Sequence, residues 1–231
     1  MAELTVSTFN VHWGGFGPRG RTTYDLGTAT AALPGTVRVF QEVWEHPDEP
    51  CDLHVPDGWT TVTHTFMAVR RPRDWKMAEP QRSRIGTWSL VVATAHEVLH
   101  RETIPLVRVG RDQRTDALHL RLATPVGVLS IVAVHLCSTF VPLGPLVQVT
   151  ALRRRLPPGP LVVLGDHNLW AGLTGLVLRD LTLAARGPTW EGPRPHHQID
   201  HIWVRGLDVV HGEVLPTAGS DHLPVTATLR G

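Results

Sequence analysis

Cysteine is scarce: the 231-residue chain has two, Cys51 and Cys137. Two thiols cannot build a disulfide framework or a four-thiolate metal site. Two unpaired thiols in a reducing compartment are the simplest reading, with one disulfide as the alternative. Net charge is also scarce, +1 at pH 7 with His neutral. A nucleic-acid partner would therefore be held by a local basic patch, not by the whole molecule. No apolar run approaches membrane-spanning length. The segment Leu4-Thr5-Val6-Ser7-Thr8-Phe9 carries no basic and apolar leader, so no signal peptide is expected and a cytoplasmic protein is. There is no internal repeat and no low-complexity linker. No His-Glu-x-x-His or Cys-x-x-Cys pattern occurs, and Trp13-Gly14-Gly15-Phe16-Gly17 is too irregular for a phosphate cradle.

What the chain does have is ordinary globular composition, with 42% hydrophobic and 19% charged residues. That is enough apolar surface for a core. The length favours a single domain over 1–231, and a monomer is the working expectation. Short runs rich in Val, Ile, Leu, Thr and Trp predict strands. They span Leu4–Asn10, Val37–Gln41, Thr60–Thr65, Trp88–Thr94, Ala117–Leu122, Val128–His135, Leu161–Gly165, Ile199–Val204, Val209–Leu215 and Val225–Leu229. Helices are predicted over Thr22–Leu33, Pro145–Leu156 and Thr174–Ala184, and long loops over Arg70–Arg84 and Pro188–His197. Many strands with few helices suggest two packed sheets with helices outside.

Polar groups recur at the ends of these strands: Asn10, Gln41-Glu42, His135, Asp166-His167-Asn168 and Asp200, with Ser220-Asp221-His222 just before the last strand. Each alone fits an ordinary polar turn. Together they offer oxygen ligands for a hard cation such as Mg²⁺, from Asn10, Glu42, Asp166, Asn168 and Asp221. They also offer Asp and His groups that could handle the protons of a phosphate-ester hydrolysis. The chain's 14 His include His196-His197 near Asp200 and His201, which reads as a polar loop, not a zinc site. Among 8 Trp, Trp13, Trp44 and Trp170 follow polar motifs closely, as rim or core packing. Arg153-Arg154-Arg155 reads as a solvated helix end that complements the helix dipole.

The motifs Thr8-Phe9-Asn10-Val11, Phe40-Gln41-Glu42-Val43, Val134-His135-Leu136, Leu164-Gly165-Asp166-His167-Asn168, Gln198-Ile199-Asp200-His201-Ile202 and Ser220-Asp221-His222-Leu223-Pro224-Val225 run in one order over nearly the full chain. In this the sequence resembles the endonuclease/exonuclease/phosphatase superfamily. The resemblance implies a four-layer α-β-β-α sandwich of two mixed β-sheets flanked by helices. It implies Mg²⁺ or Mn²⁺ held by Glu42, with Asn10 and Asp221. It gives Asp166 and Asn168 the attacking water, and His222, polarised by Asp200, the scissile phosphate or the role of base. His135 would bind phosphate or protonate the leaving oxygen, with Glu79 as a partner by position, and Arg82, Arg84 and Arg114 as phosphate-side candidates. His167 stands where the family usually has an aromatic, and packing as a flat ring is favoured over a ligand role. The implied activity is phosphodiester hydrolysis on DNA or RNA. The alternatives are a phospholipid or small phosphate ester as substrate, or a binding module that has lost catalysis.

Overall fold

Val, Leu and Ile at alternate positions give each strand one apolar face, and two such faces must bury each other. The computed structural model describes residues 2–15, 24–45, 51–69, 86–138, 143–190, 197–216 and 219–231. Its first sheet contains β1 (Glu3–Asn10), β2 (Val37–Glu45), β3 (Thr60–Val69), β4 (Gly86–Thr94), β11 (Asp208–Val214) and β12 (Val225–Arg230), in the order β11-β12-β1-β2-β4-β3. Its second contains β5 (Glu97–Pro105), β6 (Asp116–Thr124), β7 (Gly127–His135), β8 (Leu161–Asp166), β9 (Thr182–Leu183) and β10 (Asp200–Arg205), in the order β5-β6-β7-β8-β10-β9. Both sheets are mixed, with β1 parallel to β2, β7 parallel to β8 and the other pairs antiparallel.

Leu4, Val6, Val39 and Leu90 of the first sheet meet Leu120, Ile131, Val162 and Ile202 of the second in one buried cluster. The outer face of the second sheet buries Val132 and Val163 against Val149 and Leu152 of α3 (Gly144–Arg153). That of the first buries Phe9 and Phe40 against Leu26 of α2 (Leu26–Ala31). The helices α1 (His12–Gly15) and α4 (Ala171–Val177) are single short pieces. The result is an α/β sandwich of two sheets with helices outside. No helix among the described residues is long and apolar enough to cross a membrane. Cys51 is half-buried and Cys137 buried, and both thiols are unpaired.

Several elements differ from the sequence expectation, among them the single-turn helix α1, which was not expected. Strand β5 was not expected, because its residues are mostly exposed and polar and leave no apolar run. Helix α4 starts earlier than Thr174 and ends at Val177, because Thr182–Leu183 pairs with β10 as β9. Helix α2 begins at Leu26 behind Asp25, whose carboxylate accepts from the Thr28 N–H. The Arg70–Arg84 loop lies outside the described residues, as do 22–23 and 191–196.

Candidate active site

Alternation sends every second residue of β1, β7, β8 and β10 into the space between the sheets. Where the hydrophobic filling stops, the next inward positions are Asn10, His135, Asp166 and Asp200. In register, His135 lies opposite Asp166, and Asp166 opposite Asp200. One row across three strands thus carries an imidazole and two carboxylates. Asn10 meets the row from the other sheet, its Nδ2 donating to Asp166 Oδ2 at 3.1 Å.

Glu42 reaches the same point by a different device. The β2–β4 register shifts between Phe40 and Val43, a bulge that carries one extra residue. Glu42 sits in that bulge at φ +59°. Its Oε1 accepts from Asn10 Nδ2 at 3.4 Å and lies 3.7 Å from His135 Nε2. The left-handed region costs a non-glycine residue about 1–2 kcal/mol. Of the five non-glycine residues at positive φ among the described residues, four line one cleft: His12, Trp13, Glu42 and Asn168. Strain of this kind gathers where side chains must be aimed.

The cleft holds about 260 Å³. Asp166, Asn168, His222, Asp221 and Glu42 form its floor and sides, with Trp13, Trp88, Trp190 and Arg114 around them. Trp13 stacks on Trp88, with ring centroids 4.9 Å apart and planes at 14°. Trp44 packs behind them, buried, whereas Trp170 stands half-exposed outside this cleft.

Two carboxylate–imidazole pairs face the cavity. Asp200 Oδ2 lies 2.8 Å from His222 Nδ1, both buried. Burial alone would lower the His222 pKa. The Asp200 charge and hydrogen bond, joined by Asp166 and Asp221, outweigh it and raise the imidazolium to about 10. Asp221 Oδ1 lies 2.5 Å from His12 Nδ1. Burial again opposes the charged imidazole, and the Asp221 hydrogen bond and charge, with Glu42, leave the His12 pKa raised. Asp166 is raised by burial first, then by Asp200 and Glu42. Its Oδ1 accepts from the Asn168 N–H at 2.8 Å, and Asn168 Nδ2 donates to its Oδ2 at 3.1 Å.

His135 abuts the cleft through three of its lining residues, its Nε2 lying 3.5 Å from Asp166 Oδ2 and 3.7 Å from Glu42 Oε1 as well as beside Arg114. It is fully buried and absent from the wall, and Arg114 Nη1 donates to its Nε2 at 2.9 Å. Burial, then the charges of Arg114 and His222, hold its pKa well below the ordinary imidazole value. The Arg114 guanidinium, which lines the cleft, stands beside it. Arg114 is gripped by Asp112, Nη2 to Oδ2 at 2.5 Å and Nε to Oδ1 at 2.8 Å. Glu79, Arg82 and Arg84 lie outside the described residues. His167 packs away from the cleft, fully buried, its Nδ1 3.0 Å from Gly165 O and its ring 4.6 Å from that of His201. Burial lowers its pKa to about 4.

The structure thus brings Glu42, Asp166, Asn168, Asp221 and His222 to the wall of one cleft, with Asn10, Asp200 and His135 buried directly behind them. Sequence reasoning missed His12, Asp112 and Trp190. A lone His or Trp carries no spacing signal, and His12 meets its partner 209 positions away. Asp112 was legible only as a short Asp-x-Arg turn.

The donor set fits a hard divalent cation. Among the described residues the buried Glu42 Oε2 has no hydrogen-bond partner, an orphan that an oxygen-seeking ion would satisfy. Ligand atoms of Asp166, Asp200 and His222 also lie within 4.8 Å of one another. His222 is a poor ligand in that group, since a metal needs the neutral ring.

The two packed mixed sheets are a fold the chain shares with solved structures. The chain is similar to an endonuclease/exonuclease/phosphatase from Beutenbergia cavernae, at 21% identity and TM-score 0.77, over 100% of this chain and 72% of that one. It is similar to the human Nocturnin catalytic domain with bound sulfate anion, at 16% identity and TM-score 0.69, covering 98% and 94%. It is also similar to the 3′ phosphatase NExo from Neisseria, bound to product DNA hairpin, at 15% identity and TM-score 0.61, covering 97% and 98%. No family model matches the chain, and no curated protein sequence does.

Proposed function

We propose that the chain is a divalent-metal-dependent phosphoesterase that hydrolyses a phosphodiester by attack of an activated water. One observation carries the reading. The Asp166 carboxylate lies between the Asp200–His222 pair and the Asn10–Glu42 pair, at the floor of an open cleft. The fold shared with Nocturnin and the NExo 3′ phosphatase supports it.

Glu42 would hold Mg²⁺ or Mn²⁺, with Asn10 and Asp221 beside it. Bound there, the ion supplies positive charge to a phosphoryl oxygen. The remaining work falls to side chains. Asp166, its pKa raised by burial and Asp200, is suited to accept a proton from water near neutral pH. Asn168, fixed to Asp166, orients that water or a phosphate oxygen. His222 stays an imidazolium through neutral pH and binds the scissile phosphate as a cation. Arg114 adds the second cation, fixed in direction by Asp112 and His135.

The purified protein with Mg²⁺ or Mn²⁺ would be assayed on plasmid DNA, RNA, abasic DNA, sphingomyelin and inositol phosphates. Asp166→Ala and His222→Ala serve as controls. Metal-dependent turnover of one substrate, lost in both variants, supports the reading. No turnover on any, or variants equal to wild type, rejects it and leaves a binding module.

A further inference from the structure

Strand β10 begins at Asp200 with a strand neighbour on one side. There Asp200 pairs with Asp166 of β8. On the other side β9 pairs with Trp203 and Val204 and reaches no further. Ile199 and Asp200 are buried, and buried backbone N–H groups must find acceptors. One side chain supplies both. Thr189 Oγ1 accepts from the Ile199 N–H at 3.0 Å and from the Asp200 N–H at 2.9 Å. A hydroxyl oxygen has two lone pairs, and both are engaged.

The backbone of Thr189 is committed as well. Its N–H donates to His197 O at 3.1 Å, and its C=O accepts from the Leu223 N–H at 2.7 Å. Leu223 follows His222, and Trp190 faces His222 across an isolated antiparallel bridge. Thr189 thus holds the chain at Asp200 with its side chain and the chain at His222 with its backbone. It is fully buried and belongs to neither flanking strand. The Asp200 carboxylate and the His222 imidazole, brought to 2.8 Å, are 22 positions apart in sequence. Valine would fill the same space and leave both N–H groups orphaned. A carboxylate directs an imidazole only as well as its own backbone is held. A misplacement of about 1 Å at such a pair can cost about a hundredfold in rate.

We propose that Thr189 is a positioning residue for the Asp200–His222 pair: its hydroxyl fixes Asp200 and its carbonyl fixes the chain at His222, so that the imidazole is aimed into the cleft. The effect on turnover rests on the phosphoesterase reading; the hold on the pair does not.

The test compares Thr189→Val, which removes the acceptor and keeps the shape, with Thr189→Ser, which keeps the acceptor. In the metal-free protein, NMR reads the hydrogen-bonded imidazole N–H signal of the Asp200–His222 pair. The signal is expected in the wild type and Thr189→Ser, and should be lost or moved upfield in Thr189→Val. With Mn²⁺ and bis(4-nitrophenyl) phosphate, kcat of Thr189→Val should fall about a hundredfold, with KM within about threefold of wild type. Thr189→Ser should keep kcat within about threefold. A loss of stability appears in every background, so Thr189→Val is also made in Asp200→Asn. There the melting temperature should fall as before, while kcat should fall further by less than about threefold. A Thr189→Val protein with the wild-type signal and kcat overturns the proposal. So does an equal further loss of kcat in the Asp200→Asn background, which leaves Thr189 a residue of stability only. If Thr189→Val does not fold, Thr189→Cys, whose sulfur accepts weakly, takes its place with the same outcomes. A signal lost in Thr189→Val, beside a wild type that turns over no substrate with metal, would overturn the phosphoesterase reading and leave the hold on the pair standing.

Discussion

Replacing Asp200 by Asn tests the electrostatics of the cleft floor. In the wild type the Asp200 carboxylate lies 2.8 Å from His222 Nδ1 and both are buried. The His222 pKa rises from 6.5 to about 10, which corresponds to about 5 kcal/mol of preference for the imidazolium. The Asp200 charge and hydrogen bond are its two largest raising causes, ahead of Asp166 and Asp221. Without them the opposing effect of burial gains weight, and His222 of the variant should titrate well below the wild-type value. The sign of the stability effect follows. A group whose folded pKa is raised stabilises fully below its unfolded value and loses that contribution as pH rises through the folded value. The wild-type advantage over Asp200→Asn is thus largest below pH 6.5 and shrinks toward pH 10. NMR titration of the metal-free imidazoles, with urea unfolding at several pH values, reads both. The reasoning is refuted by a wild-type His222 that titrates near 6.5, or by one that the substitution leaves unmoved.

Glu42→Gly should raise the melting temperature of the metal-free protein by about 2–4 °C, since it relieves the φ +59° strain and removes a buried orphan oxygen, while turnover is lost. His167 is buried neutral with its pKa lowered to about 4, so its stabilisation is full above pH 6.5 and lost as pH falls toward 4. His167→Phe should lose about 3 kcal/mol less than wild type across that window, as read by unfolding at pH 7 and pH 4. Gly165→Ala should fail to fold stably, because a Cβ there would lie 2.0 Å from Val134 O at φ +138°; expression and circular dichroism check it. Arg114→Lys keeps the charge but cannot reproduce the two bonds to Asp112, so turnover should fall about tenfold or more with little change in melting.

The fold was legible wherever burial left a period in the sequence. Strand β1 shows it: Leu4, Val6 and Thr8 alternate inward, so the next inward residue, Asn10, had to fall at the cavity edge. The same count brings His135, Asp166 and Asp200 inward. It could not reveal β5, whose edge position demands no apolar face, nor the bulge that turns Glu42, since no residue type specifies that conformation. It also could not show that Arg114 donates to His135 or that Asp221 pairs with His12. Those depend on which chain ends meet in space, and long-range polar pairs leave no local pattern.

The central claim is that metal and the Asp166 cluster together hydrolyse a phosphodiester. Its most direct measurement is turnover of bis(4-nitrophenyl) phosphate by chelator-stripped protein, titrated with Mn²⁺ or Mg²⁺, beside Asp166→Asn. Turnover should be absent without metal, saturate with it, and fall about 10²–10⁴-fold in the variant. Metal-independent turnover, or equal rates for wild type and Asp166→Asn, would contradict the account.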